Sequence, residues 1–442
     1  MLSERSPITF ADPLPSAVDV VIVGAGVIGV STAWFLAQQG VSVVICEKGR
    51  VAGEQSSRNW GWIRKHGRDQ AELPIVIESI EHWKSIAAGL DEDIGFAQHG
   101  VAYLAETDTE LAERERWIAI ARDYDLDTRM LGARELAEII TESSSKWVGA
   151  SFTSSDARAE PFVAVPAIAR SLRKKGVAIT ENCAVRTVET AAGEVDGVVT
   201  ERGVVRCNNV VCAGGAWSSS FCRNLGYDFP QLTVRATVAR TTEAPDIFQG
   251  NAASTGLAFR RRADGGYTLA ASGNFEHFLG RDSFRYLPAF FPSIVRSRKD
   301  MSLRIGDGLV ARLRATRSWS GSDISPFETT RVLNPDPSQV AISEIRNQLK
   351  RQLPSLADIP LEQAWAGMID ATPDIVPVMD RVEGLPGLFV ATGFSGHGFG
   401  IGPGAGRLMA DMVLGKPLGH DLKRFRLSRF SDGSSLELGP AL

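Results

Sequence analysis

Cysteine is scarce in this chain, five among 442 residues with no Cys-x-x-Cys spacing. That argues against a disulfide-stapled scaffold and fits reduced thiols in a cytoplasmic protein, with no metal site expected. Cys46, Cys183 and Cys212 each lie in an apolar, strand-like run, where a small buried hydrophobe is the simplest reading. Excess basic charge is also missing: 48 Lys and Arg stand against 52 Asp and Glu, the net charge is −4, and no basic stripe marks a nucleic-acid partner. Long apolar runs are absent too. The longest, residues 18–30, is too short to span a bilayer. Residues 1–17 carry Glu4, Arg5, Asp12 and three prolines, so no secretory hydrophobic segment is expected there and the stretch reads as a loose tail. Neither an internal repeat nor a low-complexity segment is evident.

What is present is glycine in two clusters at opposite ends of the chain. The first, Val23-Gly24-Ala25-Gly26-Val27-Ile28-Gly29, follows an apolar, β-branched run at residues 18–23 and opens a helix of small and apolar residues ending at Gly40. Gly24 allows the tight turn, Gly26 lets backbone N–H groups approach a pyrophosphate, and Gly29 lets helix pack on strand. Ala25, Val27 and Ile28 complete the loop. A second strand at residues 41–46 ends at Glu47, eighteen residues past Gly29, where a carboxylate accepts from a ribose hydroxyl. The second cluster is Gly393-Phe394-Ser395-Gly396-His397-Gly398-Phe399-Gly400, followed by Ile401, Gly402 and a helix expected from Pro403. Between the clusters, Val210-Val211-Cys212-Ala213-Gly214-Gly215-Ala216-Trp217 reads as a central strand running to a ligand. The three stretches together describe a long dinucleotide laid across one domain.

The chain is long enough for two domains. A charge-rich helical region is expected over residues 72–140, a helix over 162–175, short strands over 177–188 and 195–205, a hairpin at 257–272 around Ala263-Asp264-Gly265-Gly266, and a helix over 338–353. The expected fold is α/β: a Rossmann-like FAD-binding domain over residues 17–95, 155–228 and 360–420, interleaved with an α+β substrate domain over 96–154 and 229–359 built on a largely antiparallel sheet. Residues 1–16 and 430–442 are expected to be tails.

These motifs, in this order, resemble the D-amino-acid oxidase and sarcosine/glycine oxidase superfamily of flavoproteins, iminodiacetate-oxidase-like members included. The resemblance covers nearly the whole chain and rests on the first glycine loop with Glu47-Lys48, on Val211 to Trp217, on Ala371-Thr372-Pro373-Asp374-Ile375-Val376-Pro377-Val378, and on Ala391 to Phe399. It implies bound FAD and oxidation of a C–N bond next to a carboxylate, by hydride transfer to flavin N5 and hydrolysis of the resulting imine. It places Lys48, Ser57, Arg58, Asn59, Trp60, Gly61, Val185, Ala213, Gly214, Trp217 and the second glycine loop against the cofactor. Arg64 takes roughly the place of a carboxylate-binding arginine, a role that suits the guanidinium fork. Trp62 would wall the site, and His397 would face flavin or substrate.

Departures from the family pattern narrow the reading. Where relatives carry a carboxylate-binding arginine three residues before Thr-Pro-Asp, this chain has Ile369. The cysteine that links the flavin in monomeric sarcosine oxidases falls near Gly367, so FAD is expected to be non-covalent. A second carboxylate-binding lysine falls at Gly400, and an oxygen-activating lysine near Thr268, which leaves both the substrate anchor and the acceptor, oxygen or another, open. Arg260, Arg261, Arg262, Arg304, Arg312 and Arg314 offer replacement anchors. The expected partner is a small carboxylate-bearing amine, such as an amino acid, sarcosine or iminodiacetate. A D-amino-acid dehydrogenase feeding a quinone, a nicotinamide dehydrogenase and a non-catalytic flavoprotein assembly factor remain the alternatives.

Overall fold

The computed structural model describes residues 2–141, 147–306 and 317–440. Four β-branched or apolar residues, Val20–Val23, form a strand buried on both faces. Such a strand needs helices on either side, and the first sheet supplies that arrangement. Six strands run in the order Val378–Arg381, Leu388–Thr392, Asn209–Cys212, Val20–Val23, Val43–Cys46, Ala178–Thr180. All pairs are parallel except the first, where Val378 lies antiparallel to Thr392. Helix Val27–Gln38 packs between the C-terminal helix Gly398–Val413 and helix Pro161–Lys174.

The second large sheet has ten strands and is mostly antiparallel. Its spine is Leu232–Thr241, which pairs with Tyr267–Ala270, with Phe275–Phe278 and, over its whole length, with Leu361–Ala371. The hairpin at Leu257–Arg261 and Tyr267–Ala270 forms as its turn residues dictate. The fold is thus a Rossmann-like α/β unit joined to an α+β unit with a largely antiparallel sheet.

Several local expectations need correction. Residues 360–371 join the large sheet through Leu232–Thr241 rather than the nucleotide-binding layer. The 72–140 region is not continuous helix: strands Val101–Ala105 and Thr128–Gly132 flank Gly149–Thr153 in the large sheet. The N-terminal segment is no loose tail. Phe10 is 1% exposed, Ala11 bridges Thr180, and the Arg50 guanidinium donates to the carbonyls of Glu4 and Ser6. Near the other end, Gly439 N–H donates to the Asp374 carbonyl, and the Gly439 carbonyl accepts from Arg296, so residues up to 440 are packed as well.

Candidate active site

The first glycine loop is shaped by close backbone contacts. Gly24 has φ +104°, and a Cβ there would stand 2.7 Å from the Ala213 carbonyl oxygen. A Cβ on Gly29 would stand 2.0 Å from the Gly24 oxygen, so the first turn of helix lies directly on the loop. Gly26 is different: an added Cβ meets only Ser56 Oγ, at 3.1 Å. Its role is to leave room rather than to permit packing. Glu47 braces this loop, accepting from Ala25 N–H at 2.8 Å with one oxygen and from Gly49 N–H at 2.7 Å with the other. Burial raises its carboxyl above the ordinary value.

A large cavity begins at this loop. Gly24, Gly26, Val27, Ile28, Glu47, Lys48, Arg58, Asn59, Trp60, Trp62, Arg64, Val185, Ala213, Gly214, Trp217, Gly396, His397, Gly398 and Phe399 line it, bringing the three distant stretches of sequence together. Of the remaining expected residues, Ala25, Gly29, Ser57, Gly61, Gly400 and Ile401 stand behind the wall. Ser57 and Ile401 are buried, and Gly61 at φ +79° packs on the Ala159 carbonyl. Lys48 donates to Glu54 and to the carbonyls of Thr330 and Arg331 beneath the Trp217 ring. Arg58 is 3% exposed and donates to Asn334 and to the Leu2, Gly53 and Ala366 carbonyls. Its geometry is that of a rivet.

At the far end of the cavity, the C-terminal helix begins at Gly398, five residues before the expected Pro403. Proline has no N–H for the Phe399 carbonyl, and Trp83 Nε1 donates there instead, at 3.1 Å. Ser79 Oγ bridges the next gap, donating to the Gly400 carbonyl and accepting from Gly404 N–H. The helix can therefore start early and present its N-terminal end to the cavity through Gly398 and Phe399.

His397 is 3% exposed, with Nδ1 3.0 Å from Glu72 Oε2. A carboxylate only accepts, so Nδ1 carries the proton and Nε2 presents a lone pair. Nε2 is buried without a partner among the described residues. Burial, with Arg68 next, pushes the imidazole down to about 4 and keeps it neutral. Arg64 lines the cavity beside the Trp62 and Tyr103 rings and donates to the His66 carbonyl. Trp60 stacks edge-on against Trp62 at 5.4 Å. Asp370, another cavity residue, accepts from Gly393 N–H at 2.8 Å and from Gln231, and burial raises it to about 6.

Sequence reasoning missed Arg68, Glu72 and Asp370. Arg68 lies four residues beyond Arg64, and Gly67 at φ +70° turns the chain so that both arginines reach the cavity. The glycine between two basic residues was the available signal. The arginines proposed from the second sheet face elsewhere: Arg260 pairs with Glu160, Arg262 with Asp264, Arg304 with Glu276, and Arg261 lies over the Tyr267 ring. Arg312 and Arg314 lie outside the described residues.

A family model described as "FAD dependent oxidoreductase" (DAO) matches residues 19–412. The chain belongs to this family. It is 24% identical over 451 residues to the beta subunit of sarcosine oxidase from Arthrobacter sp, covering 99% of this chain and 97% of that one. It is 24% identical to glycine oxidase from Bacillus subtilis (strain 168), covering 93% and 97%. The structure of L-amino acid deaminase from Proteus myxofaciens in complex with anthranilate superposes with TM-score 0.93 at 31% identity, over 97% of both chains. This chain is accordingly an FAD-dependent oxidoreductase acting on amino acids or related amines.

The residues fit the cofactor. The N-cap residue of helix Val27–Gln38, Gly26, has no side chain to cap it; Val27 N–H donates to Ser56 Oγ at 2.9 Å, and the other N–H groups of the first turn, which have no intrahelical partner, are left for a diphosphate. Among the described residues no helix is long and apolar enough to cross a membrane.

Proposed function

We propose that the protein oxidises the C–N bond of a small α-amino acid or N-substituted glycine, with Arg64 holding the substrate carboxylate. The observation that carries this reading is that Arg64 lines the cavity near the second glycine loop and takes part in no ion pair among the described residues. A guanidinium placed so is matched by a carboxylate it can bind through two parallel N–H bonds. Bound FAD supplies the two-electron acceptor. His397 Nε2, a neutral acceptor fixed by Glu72, orients an N–H of the substrate amine in its unprotonated form. Trp60 and Trp62 close the wall and keep water from the reacting carbon. A cluster of cations disfavours an ammonium group, which favours that neutral amine.

Among substrates, the 31% identity and near-complete superposition with the L-amino acid deaminase favour a primary amino acid over sarcosine or iminodiacetate. The structure named for iminodiacetate oxidase from Chelativorans sp. BNC1 aligns at 18% identity, which speaks for the fold alone. The test is an anaerobic panel of L-amino acids, D-amino acids, sarcosine and iminodiacetate, scored by loss of flavin absorbance, followed by admission of air. Rapid bleaching by an amino acid is expected. If no amine bleaches the flavin, a non-catalytic role replaces this reading. Recovery of colour on aeration marks an oxidase, and persistent bleaching marks a dehydrogenase with another acceptor.

A further inference from the structure

Seven arginines are buried in the described structure: Arg50, Arg58, Arg68, Arg158, Arg260, Arg262 and Arg429. Six of them donate at least one hydrogen bond to the protein, although Arg158 Nε and Arg260 Nε are themselves buried without a partner among the described residues. Arg50 and Arg58 donate to backbone carbonyls and to asparagine side chains, Arg158 to a carbonyl beside Glu160, and Arg260, Arg262 and Arg429 to carboxylates. Arg68 is the exception. It is 7% exposed, its Nη1 is buried with no partner, and its guanidinium donates no hydrogen bond and enters no ion pair among the described residues.

A buried, unsatisfied guanidinium is costly in a folded protein unless something arrives to pair with it. Burial and the Arg64 charge push Arg68 down to about 9. Glu72 attracts it through space but forms no ion pair with it, its two oxygens lying 3.2 and 3.0 Å from His397 Nδ1. Arg68 faces the same cavity as Arg64. Arg114, above the Tyr103 ring that Arg64 also covers, adds a third cation nearby. One carboxylate gripped by Arg64 would leave the Arg68 donors unmet.

We propose that Arg68 is a second carboxylate anchor, and that the substrate is a dicarboxylic amino acid whose α-carboxylate pairs with Arg64 and whose distal carboxylate pairs with Arg68. This rests on the reading of Arg64 given above. The two carboxylates match two unpaired guanidiniums, and the neutral amine falls to His397 Nε2. The assignment separates this site from one built for apolar side chains, in which the aromatic wall would be the main recognition element.

The experiment uses the flavin-loaded protein and amine-free probes, glutarate and succinate against butyrate and propionate, with binding read from the shift of the flavin spectrum and by calorimetry. Dicarboxylates are expected to bind at least about 30-fold tighter, and Arg68→Met to abolish that preference while leaving monocarboxylate affinity within about twofold. Arg68→Lys, which retains the charge, is expected to recover part of the preference and serves if the methionine variant does not fold. In turnover, glutamate or aspartate should exceed alanine and norvaline in kcat/KM by a similar factor. Equal binding of mono- and dicarboxylates by the unaltered protein overturns the proposal. So does an equal loss for both in Arg68→Met, which would put the two arginines on one carboxylate. Selective dicarboxylate binding with no bleaching by any amine would instead defeat the oxidase reading and leave this site standing.

Discussion

At the level of single residues, charge and hydrogen-bond capacity decide what the cavity accepts. Removing the Arg64 guanidinium should cost on the order of 2–4 kcal/mol of transition-state stabilisation, roughly 30- to 1000-fold in kcat/KM. Arg64→Lys should recover part of it, since an ammonium lacks the fork. Steady-state kinetics on the best amino acid, with flavin content matched, checks this, and unchanged kcat/KM for Arg64→Ala would leave it a structural residue. His397 carries a pH signature. Its ordinary value is 6.5 and the fold lowers it to about 4, so between those limits the unfolded chain binds more protons than the native one. The stability it contributes is present above pH 6.5 and is lost as pH falls toward 4. Asp370, raised to about 6, acts with the opposite sign, because its buried carboxyl is better tolerated once protonated. The raw acid limb is therefore a composite, and the difference between wild type and His397→Gln is the quantity to measure on flavin-free protein. That difference should shrink by on the order of 3 kcal/mol, as an upper bound, between pH 6.5 and 4 in denaturant titrations. That Arg64 and His397 line the cavity was legible because each sits beside a glycine or tryptophan motif. Glu72 and Arg68 were not, since nothing in a sequence says which charged residue of the turns ahead of a helix will be buried.

At the level of elements, period and glycine placement made the first βαβ unit readable: strand, loop, helix and Glu47 stand within a few residues of their expected bounds. The strands Val101–Ala105 and Thr128–Gly132 were hidden inside a charge-rich region, because short strands flanked by the charged helix Asp108–Asp123 do not change its average polarity. The start of the last helix was misplaced for a different reason. Local propensity puts Pro403 at a helix start, whereas Trp83 and Ser79, far away in sequence, satisfy the carbonyls that the proline strands. The helix pair formed by Val27–Gln38 and Gly398–Val413 depends on contact too close for side chains. A Cβ on Gly406 would stand 2.4 Å from the Ser31 Cβ and 2.7 Å from Thr32 N, and backbone cannot move aside cheaply. Gly406→Ala should therefore destabilise by about 1–3 kcal/mol. Gly89, at the end of helix Leu73–Gly89, has nothing within 4 Å of its added Cβ, so Gly89→Ala is the matched control and should be neutral or slightly stabilising. Thermal unfolding of the two flavin-free variants tests the pair, and equal midpoints would mean that the helices can separate without loss.

At the level of the whole molecule, one cavity touches the first βα turn, the Leu361–Ala371 strand of the large sheet and the start of the C-terminal helix. FAD bound there would touch all three parts of the chain at once, so the cofactor should act as a structural member as well as a reagent. Its attachment should be non-covalent: Gly367, at the family's cysteine position, offers no nucleophile, and an added Cβ there meets the Arg58 side chain at 3.3 Å. Acid precipitation should leave the yellow colour in the supernatant, and flavin retained in a washed pellet would refute the claim. Binding that favours only the native state stabilises it by about 2.7 kcal/mol when free ligand stands at 100 times Kd. Added FAD should thus raise the unfolding midpoint of the apoprotein in a concentration-dependent way. Gly26→Val separates this effect from folding. The Cβ it introduces meets only Ser56 Oγ within the protein, so the flavin-free variant should unfold close to the flavin-free wild type, while its side chain fills the space at the helix N-terminus where the diphosphate would lie. The midpoint of the variant should then be indifferent to FAD. A variant that purifies yellow, or whose midpoint climbs with added FAD as the wild type's does, would show that the diphosphate is held somewhere other than the Gly24–Gly29 turn.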